Sequence, residues 1–277
     1  MTEPRLRAAY FVAGVLAWLA FDVFGLRRRV VRENLERSFP GWTAQQRRAV
    51  RREFVRRQGE VAAETLFAPR IGADELRERV VITNPGLLPP TGAPRPVILV
   101  GAHHCNAEWM VLRASLDLGE RLVALYKPQG SARADRWLRR LRTRFGARLV
   151  AAKSVLQELA RMRNVGGIGL LADQVPRTSP DKHWTDFLGQ RTAFYMGPEL
   201  LGRALRAQVC IVRMRRLERG RYEMTIEPLN QPGEKLPHGE VTERYARALE
   251  RWIRDDPAGW WWTHRRWKEL KKRGDRG

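Results

Sequence analysis

The chain has 277 residues, enough for one large α/β domain or two small ones with an ample core. Its 52 Lys and Arg against 30 Asp and Glu leave a net charge of +22, which implies an anionic partner: nucleic acid, anionic lipid headgroups or an acidic protein. Two cysteines, Cys105 and Cys210, exclude a disulfide framework, and neither belongs to a CxxC or Cys/His spacing suited to zinc.

The first element is apolar. Ala8 to Leu26 carries one charge, Asp22, and includes Tyr10, Phe11, Trp18, Phe21 and Phe24. As a helix it is about 28 Å long, close to the thickness of a bilayer core. Arg27, Arg28 and Arg29 follow and outweigh Arg5 and Arg7, so the expectation is a membrane-associating helix over residues 1–29 with the rest of the chain cytoplasmic. No small-residue cleavage site follows a short hydrophobic core, which argues against a removable signal peptide. A buried helix of a soluble fold is the competing reading.

Val30 to Glu64 reads as helical, broken near Phe39-Pro40 and restarted with Thr43 as a cap. Its arginines, Arg47, Arg48, Arg51, Arg52, Arg56 and Arg57, are either a solvated face or a contact for phospholipid headgroups. Pro85 to Pro96 is a proline-rich loop. From Val97 onward, apolar runs alternate with amphipathic stretches. The runs are Val97–Val100, Leu122–Tyr126, Arg148–Val150, Ile168–Ala172 and Val209–Met214. Helical patterns lie between them at Glu108–Leu118, Arg133–Phe145, Ser154–Met162 and Pro198–Leu205, and Arg221–Leu229 makes a hairpin partner for the last run. This predicts one α/β domain over residues 30–277, a central mostly parallel sheet flanked by helices.

Polar residues collect where three predicted strands end, the edge at which open α/β sheets build their sites. Val97-Ile-Leu-Val-Gly-Ala leads into His103, His104, Cys105, Asn106 and Glu108. On one regular helix His103 and Glu108 would diverge by about 140°. They meet only if His103 sits in the loop before the helix that carries Glu108, where an acid beside a histidine readies it to take a proton from an alcohol. Leu122–Tyr126 leads to Lys127 and an arginine-rich helix bearing Arg142 and Arg144. The run at Ile168 ends in Asp173 and Gln174. His104 competes with His103 as the base. Cys105 as a thiol nucleophile, and zinc held by His103, His104 and Asp173, are weaker alternatives because neither has a suitable spacing.

These landmarks resemble, in order, the bacterial lipid A biosynthesis acyltransferases. His-x-x-Asn-x-Glu at His103, Asn106 and Glu108 resembles their acyltransferase motif. Tyr126-Lys127-Pro128, Leu141 to Gly146, Asp173-Gln174 with Phe187-Leu188-Gly189 and Thr192, and Trp261 to Lys268 resemble their later blocks. Ala107 stands where those proteins commonly carry an aromatic residue. The resemblance implies a glycerol-phosphate-acyltransferase-like fold and acyl transfer to a lipid hydroxyl. The donor would be an acyl carrier protein thioester, or acyl-coenzyme A in some relatives, and no cofactor or metal is expected. His103 becomes the general base, held by Glu108. Arg142 or Arg144 supplies the oxyanion donor, Asp173 and Gln174 line the acceptor site or support the base, Lys127 binds substrate, and Asn106 fixes the turn or donates into the site. Partners would be the acidic carrier protein, a lipid or glycolipid acceptor and an anionic membrane surface at the cytoplasmic face of the inner membrane. A tail with Trp252, Trp260, Trp261, Trp262 and Trp267 before Lys268, Lys271, Lys272 and Arg273 suits that surface, or packs on the core. Absence of a helix-turn-helix, zinc-knuckle or RNP pattern argues against nucleic acid.

Overall fold

A computed structural model describes residues 4–176 and 181–267. In chain order the helices and strands are α1 (Pro4–Trp18), α2 (Arg28–Ser38), α3 (Ala44–Phe67), α4 (Ala73–Arg79), β1 (Val80–Ile82), β2 (Val97–Gly101), α5 (Ala107–Leu118), β3 (Leu122–Tyr126) and α6 (Ala132–Thr143). They continue with β4 (Arg148–Ala151), α7 (Val155–Arg161), β5 (Gly167–Leu171), β6 (Lys182–Phe187), β7 (Gln190–Tyr195), α8 (Gly197–Leu205), β8 (Gln208–Glu218), β9 (Arg221–Pro228) and α9 (Glu240–Asp255).

Seven strands form one sheet in the order β1-β9-β8-β2-β5-β3-β4. β8, β2, β5, β3 and β4 run parallel, and only the β8–β9 hairpin is antiparallel. The alternation of strands and helices drives this layout, because a parallel neighbour requires a helical crossover. Ile98 and Val100 of β2 enter one core with Val123 and Ile168, under α8 and α9, while Leu99 enters the opposite core with Leu122 and Val212, against α5. Helices on both faces explain why these strands read as continuous apolar runs.

At the N-terminus, α1 continues as a π-helical turn, Leu19–Val23, before Gly25, whose φ of +67° stops the helix. α1 has two unlike faces. Leu6 and Tyr10 are buried against the body, whereas Phe11, Val12, Leu16 and Trp18 are exposed. Together with the π-helical turn, it makes a stretch, Arg5–Val23, long and apolar enough to cross a membrane. The cap expected at Thr43 is present, with Thr43 Oγ1 accepting from Gln46 N (3.2 Å) and Gln46 Oε1 from Thr43 N (2.7 Å).

Two features differ from the sequence expectation, and one open reading is decided. The short elements α4 and β1 precede the core and complete the sheet's edge. A second, two-stranded sheet of β6 and β7 turns through Leu188 and Gly189, both at positive φ, as a two-residue hairpin needs. Of the two readings of the terminal tryptophans, packing on the core is the one observed. Trp260, Trp262 and Trp267 are buried in the core, because indole area is worth more out of water than on a polar rim. The cations expected after Trp267 lie outside the described residues.

Candidate active site

β2 and β5 pair in parallel with a fixed register, Val97 on Gly167 through Gly101 on Leu171. Two residues past the last pair, the same offset sets His103 opposite Asp173. His103 Nδ1 lies 2.7 Å from Asp173 Oδ1, and the His103 backbone N–H donates to Asp173 Oδ2 at 3.0 Å. Trp260 Nε1 donates to that same Oδ2 at 3.0 Å, and Tyr245 Oη donates to the Gly101 carbonyl at 3.0 Å, fastening the end of β2. Asp173 is buried while the His103 side chain keeps a quarter of its surface open. With Nδ1–H engaged by the carboxylate, Nε2 is the free base; it faces Gln174 Nε2 at 3.4 Å.

The electrostatics fit a held imidazole. Burial lowers the His103 pKa, but the Asp173 charge and hydrogen bond, helped by Glu108, outweigh it and the net direction is up. Burial likewise opposes the Asp173 charge, yet the His103 side chain and the N–H donors around it bring its pKa down to about 2. The carboxylate therefore stays ionised wherever His103 titrates.

A strap of residues 256–262 closes over this loop. Cys105 N donates to the Gly259 carbonyl (2.9 Å), Trp261 N to the His103 carbonyl (3.1 Å), and the Trp261 ring lies 4.7 Å from the imidazole at 34°. Cys105 itself has φ of +59°, a conformation costly for a side chain with a Cβ and held here by the strap.

The expected residues divide accordingly. Glu108 does sit in the first turn of α5, with His103 in the preceding loop, but it is not the imidazole's partner. Arg142 reaches across from α6 and grips it with two bonds, Nε to Oε2 at 2.8 Å and Nη2 to Oε1 at 2.5 Å. The carboxylate on Nδ1 is Asp173, because strand register delivers it. Arg144 points away: its guanidinium holds the Ala68 and Ile71 carbonyls and covers the Phe145 ring, and it does not line the pocket of His103. Asn106 is buried and caps α5, its Oδ1 accepting from Trp109 N at 3.0 Å and its Nδ2 donating to Glu64 Oε2 at 2.7 Å; it does not reach the pocket. Lys127 is exposed on the rim of the pocket that holds His103, Gln174 and Arg142.

His104 turns inward. Its ring nitrogens face the carbonyls of Met214 (3.3 Å) and Asp256 (3.1 Å). Burial works against its charge, but the Cys105 side chain and Asp256 lift its pKa to about 9. A folded-state pKa above the ordinary 6.5 adds stability that is complete below pH ~6.5 and fades as pH rises through about 9. His104, Cys105 and Asp256 bring one donor atom each within 4.8 Å, yet the carbonyls occupy both ring nitrogens and Arg57 takes both Asp256 oxygens at 2.7 Å. His104→Ala should therefore cost about 2–3 kcal/mol, the penalty for unpaired buried acceptors, while leaving kcat near wild type; urea titration beside turnover checks the separation.

Beside the polar pocket runs an apolar slot between α5 and the sheet, lined by Leu99, Ala114, Leu122, Ala124, Leu149 and Gly169. Slot and pocket share a wall of Leu125, Tyr126, Arg142, Leu170 and Leu171, so the Glu108–Arg142 pair stands at their junction.

The site thus stands at the carboxyl edge of a mostly parallel α/β sheet, where a polar pocket holding His103 meets an apolar slot. The sequence profile of the bacterial lipid A biosynthesis acyltransferases matches residues 5–269, and the chain belongs to that family. No curated protein sequence matches the chain. Among solved structures, it is similar to the 1-acyl-sn-glycerophosphate (LPA) acyltransferase PlsC from Thermotoga maritima, at 15% identity and a TM-score of 0.42 over 92% of this chain and 99% of that one.

Proposed function

We propose that the protein is a membrane-associated O-acyltransferase that moves a fatty acyl chain from an acyl carrier protein thioester to a hydroxyl of a lipid A precursor or related glycolipid. The observation that carries this reading is the shared wall between the His103 pocket and the apolar slot. The acyl chain occupies the slot, which leaves the thioester carbonyl at the junction. His103 Nε2 takes the proton of the acceptor hydroxyl, displacing Gln174 from the ring, and Asp173 stabilises the imidazolium. The alkoxide adds to the carbonyl carbon. Arg142, held by Glu108, has N–H groups left over to meet the oxyanion. Collapse expels the thiolate, which takes its proton from His103. No covalent enzyme intermediate is required.

Charge and burial support the partners. Arg133, Arg136 and Arg140 are exposed on α6, the helix that also supplies Arg142, and suit an acidic carrier protein. Lys127 on the rim suits an anionic acceptor headgroup. The outer face of α1, with Phe11, Val12, Leu16 and Trp18, suits the acyl boundary of a bilayer, and Arg27, Arg28 and Arg29 support a reading in which the domain of residues 30–277 lies on the cytoplasmic side of the inner membrane.

The test is transfer of a labelled acyl group from acyl carrier protein to a panel of lipid acceptors, including lipid A precursors, with the products identified by mass spectrometry. Transfer to a lipid A precursor at the highest kcat/KM is the expected result. Preference for an aminolipid, phosphoinositol mannoside or pigment intermediate would move the acceptor and keep the chemistry. The slot makes a separate prediction. Ala124→Phe puts a ring into its lining and should shift the preferred acyl chain shorter by several carbons, costing the long chain about 1–3 kcal/mol in kcat/KM. An unchanged chain-length profile would place the acyl chain elsewhere.

A further inference from the structure

Glu64 is fully buried in α3, and three separate elements converge on it. Tyr10 Oη of α1 donates to Oε1 at 2.9 Å. Asn106 Nδ2, from the cap of α5, and Tyr222 Oη of β9 both donate to Oε2 at 2.7 Å. Trp109 Nε1 of α5 donates to the Glu64 backbone carbonyl at 3.2 Å. A buried carboxylate is tolerated only when so satisfied. The arrangement orders its neighbours. With Nδ2 drawn to Glu64, the Asn106 amide must turn Oδ1 toward the Trp109 N–H, which caps the helix whose second residue is Glu108.

The α1 side of this link is equally fixed. A Cβ on Gly59 would lie 2.9 Å from the Ala13 carbonyl, so the α1 and α3 backbones touch without room to slide. A Cβ on Gly220 would lie 2.6 Å from Tyr10 Oη, and Arg219 sits 5.4 Å from the Tyr10 ring. The hairpin tip thus wedges the tyrosine against Glu64. We propose that Glu64 is a positioning residue through which the docked α1 holds the N-terminus of α5, and with it the Glu108–Arg142 pair, in place for transfer. The inference rests on the acyl-transfer reading above. It makes α1 a working part of the active site as well as a membrane contact.

Because the two faces of α1 carry different residues, mutation separates the two roles. The full chain is assayed in detergent micelles with an acyl carrier protein thioester and the acceptor the panel selects, alongside amide exchange of the peptide covering 101–112. Tyr10→Phe, which removes one hydroxyl, and Glu64→Gln, which keeps the size but puts a donor against the three, should lower kcat about tenfold with KM little changed, as a displaced catalytic group does. Both should also speed exchange around Trp109 about fivefold, the loss of one cap. Phe11→Ser with Leu16→Ser, on the outer face, should weaken binding to phosphatidylethanolamine–phosphatidylglycerol vesicles and leave micellar kcat and exchange unchanged. Wild-type kcat and exchange in Tyr10→Phe would overturn the proposal, as would an equal loss of kcat in the outer-face variant. If Glu64→Gln does not fold, Tyr10→Phe decides alone. The exchange readout needs no turnover, so failure of the link is distinguishable from failure of the acyl-transfer reading, which shows as absent transfer by the unmodified enzyme.

Discussion

His103→Ala should lower acyl transfer by at least ~100-fold, and Asp173→Asn should do nearly as much while moving the pH profile in a stated direction. In the proposed mechanism the base works in its neutral form, so activity should be present above the His103 pKa and be lost as pH falls through it. Asp173 outweighs the effect of burial and holds that pKa above its ordinary value near 6.5. In the wild-type enzyme the acidic limb of kcat/KM should therefore have its midpoint above 6.5. The Asp173→Asn variant carries no charge at this position and leaves burial unopposed by its largest counterweight, so the midpoint should fall. The new amide also turns an N–H toward donors from His103 and Trp260 that now meet a carboxylate, which disturbs the imidazole's tautomer and placement. Thermal melts at each pH separate this from unfolding. A midpoint that stays put in Asp173→Asn and drops in Glu108→Gln would return the orienting role to Glu108. Retention of transfer in His103→Ala, with loss in His104→Ala, would move the base to the neighbouring ring.

The fold and the edge that carries the site were legible because both depend on local patterns. Apolar runs ending in His103, Lys127 and Asp173 read directly as strand ends, and the proline-rich loop and the alternating helices prescribe a parallel sheet. The partner of His103 was not legible. Glu108 stands five residues away and invites the pairing, whereas Asp173 is 70 residues distant and arrives through the register of β2 on β5. Register depends on how two apolar strands pack, and the run Gly-Ile-Gly-Leu-Leu of β5 carries no mark of its own alignment. Asn106 and Arg144 illustrate the converse: residue type suggested chemistry, and packing turned both side chains toward backbone and core. Glu64 was hidden among the arginines of α3, where a charged helix face reads as solvated. The β6–β7 hairpin did leave a signal in Leu188-Gly189 between alternating residues, and the tryptophan strap left one in the block from Trp261, but nothing local marks its place over His103, which depends on backbone bonds together with the Trp260 indole on Asp173.

Breaking the Glu108–Arg142 pair tests the remaining half of the site. Arg142→Lys keeps a cation but loses the fork that grips both Glu108 oxygens, and should lower kcat about 100-fold with a smaller change in KM, the size found for removal of one oxyanion donor. Glu108→Gln leaves the guanidinium intact yet unanchored at the junction of pocket and slot, where about one fifth of each side chain is exposed. Its loss should be smaller, about 10–30-fold, because the donor survives and only its placement suffers. If the two residues act as one unit, the double variant should be no worse than Arg142→Lys alone, since Glu108 has nothing left to position. Multiplicative losses would mean that Glu108 touches the reaction by a separate route. The His103 midpoint supplies the cross-check. Glu108 contributes less than Asp173 to raising it, so Glu108→Gln should shift the acidic limb downward by less than Asp173→Asn does. A site in which one carboxylate governs the base and the other governs the oxyanion donor predicts this division: the pH profile follows Asp173, and the height of its plateau follows Glu108 and Arg142.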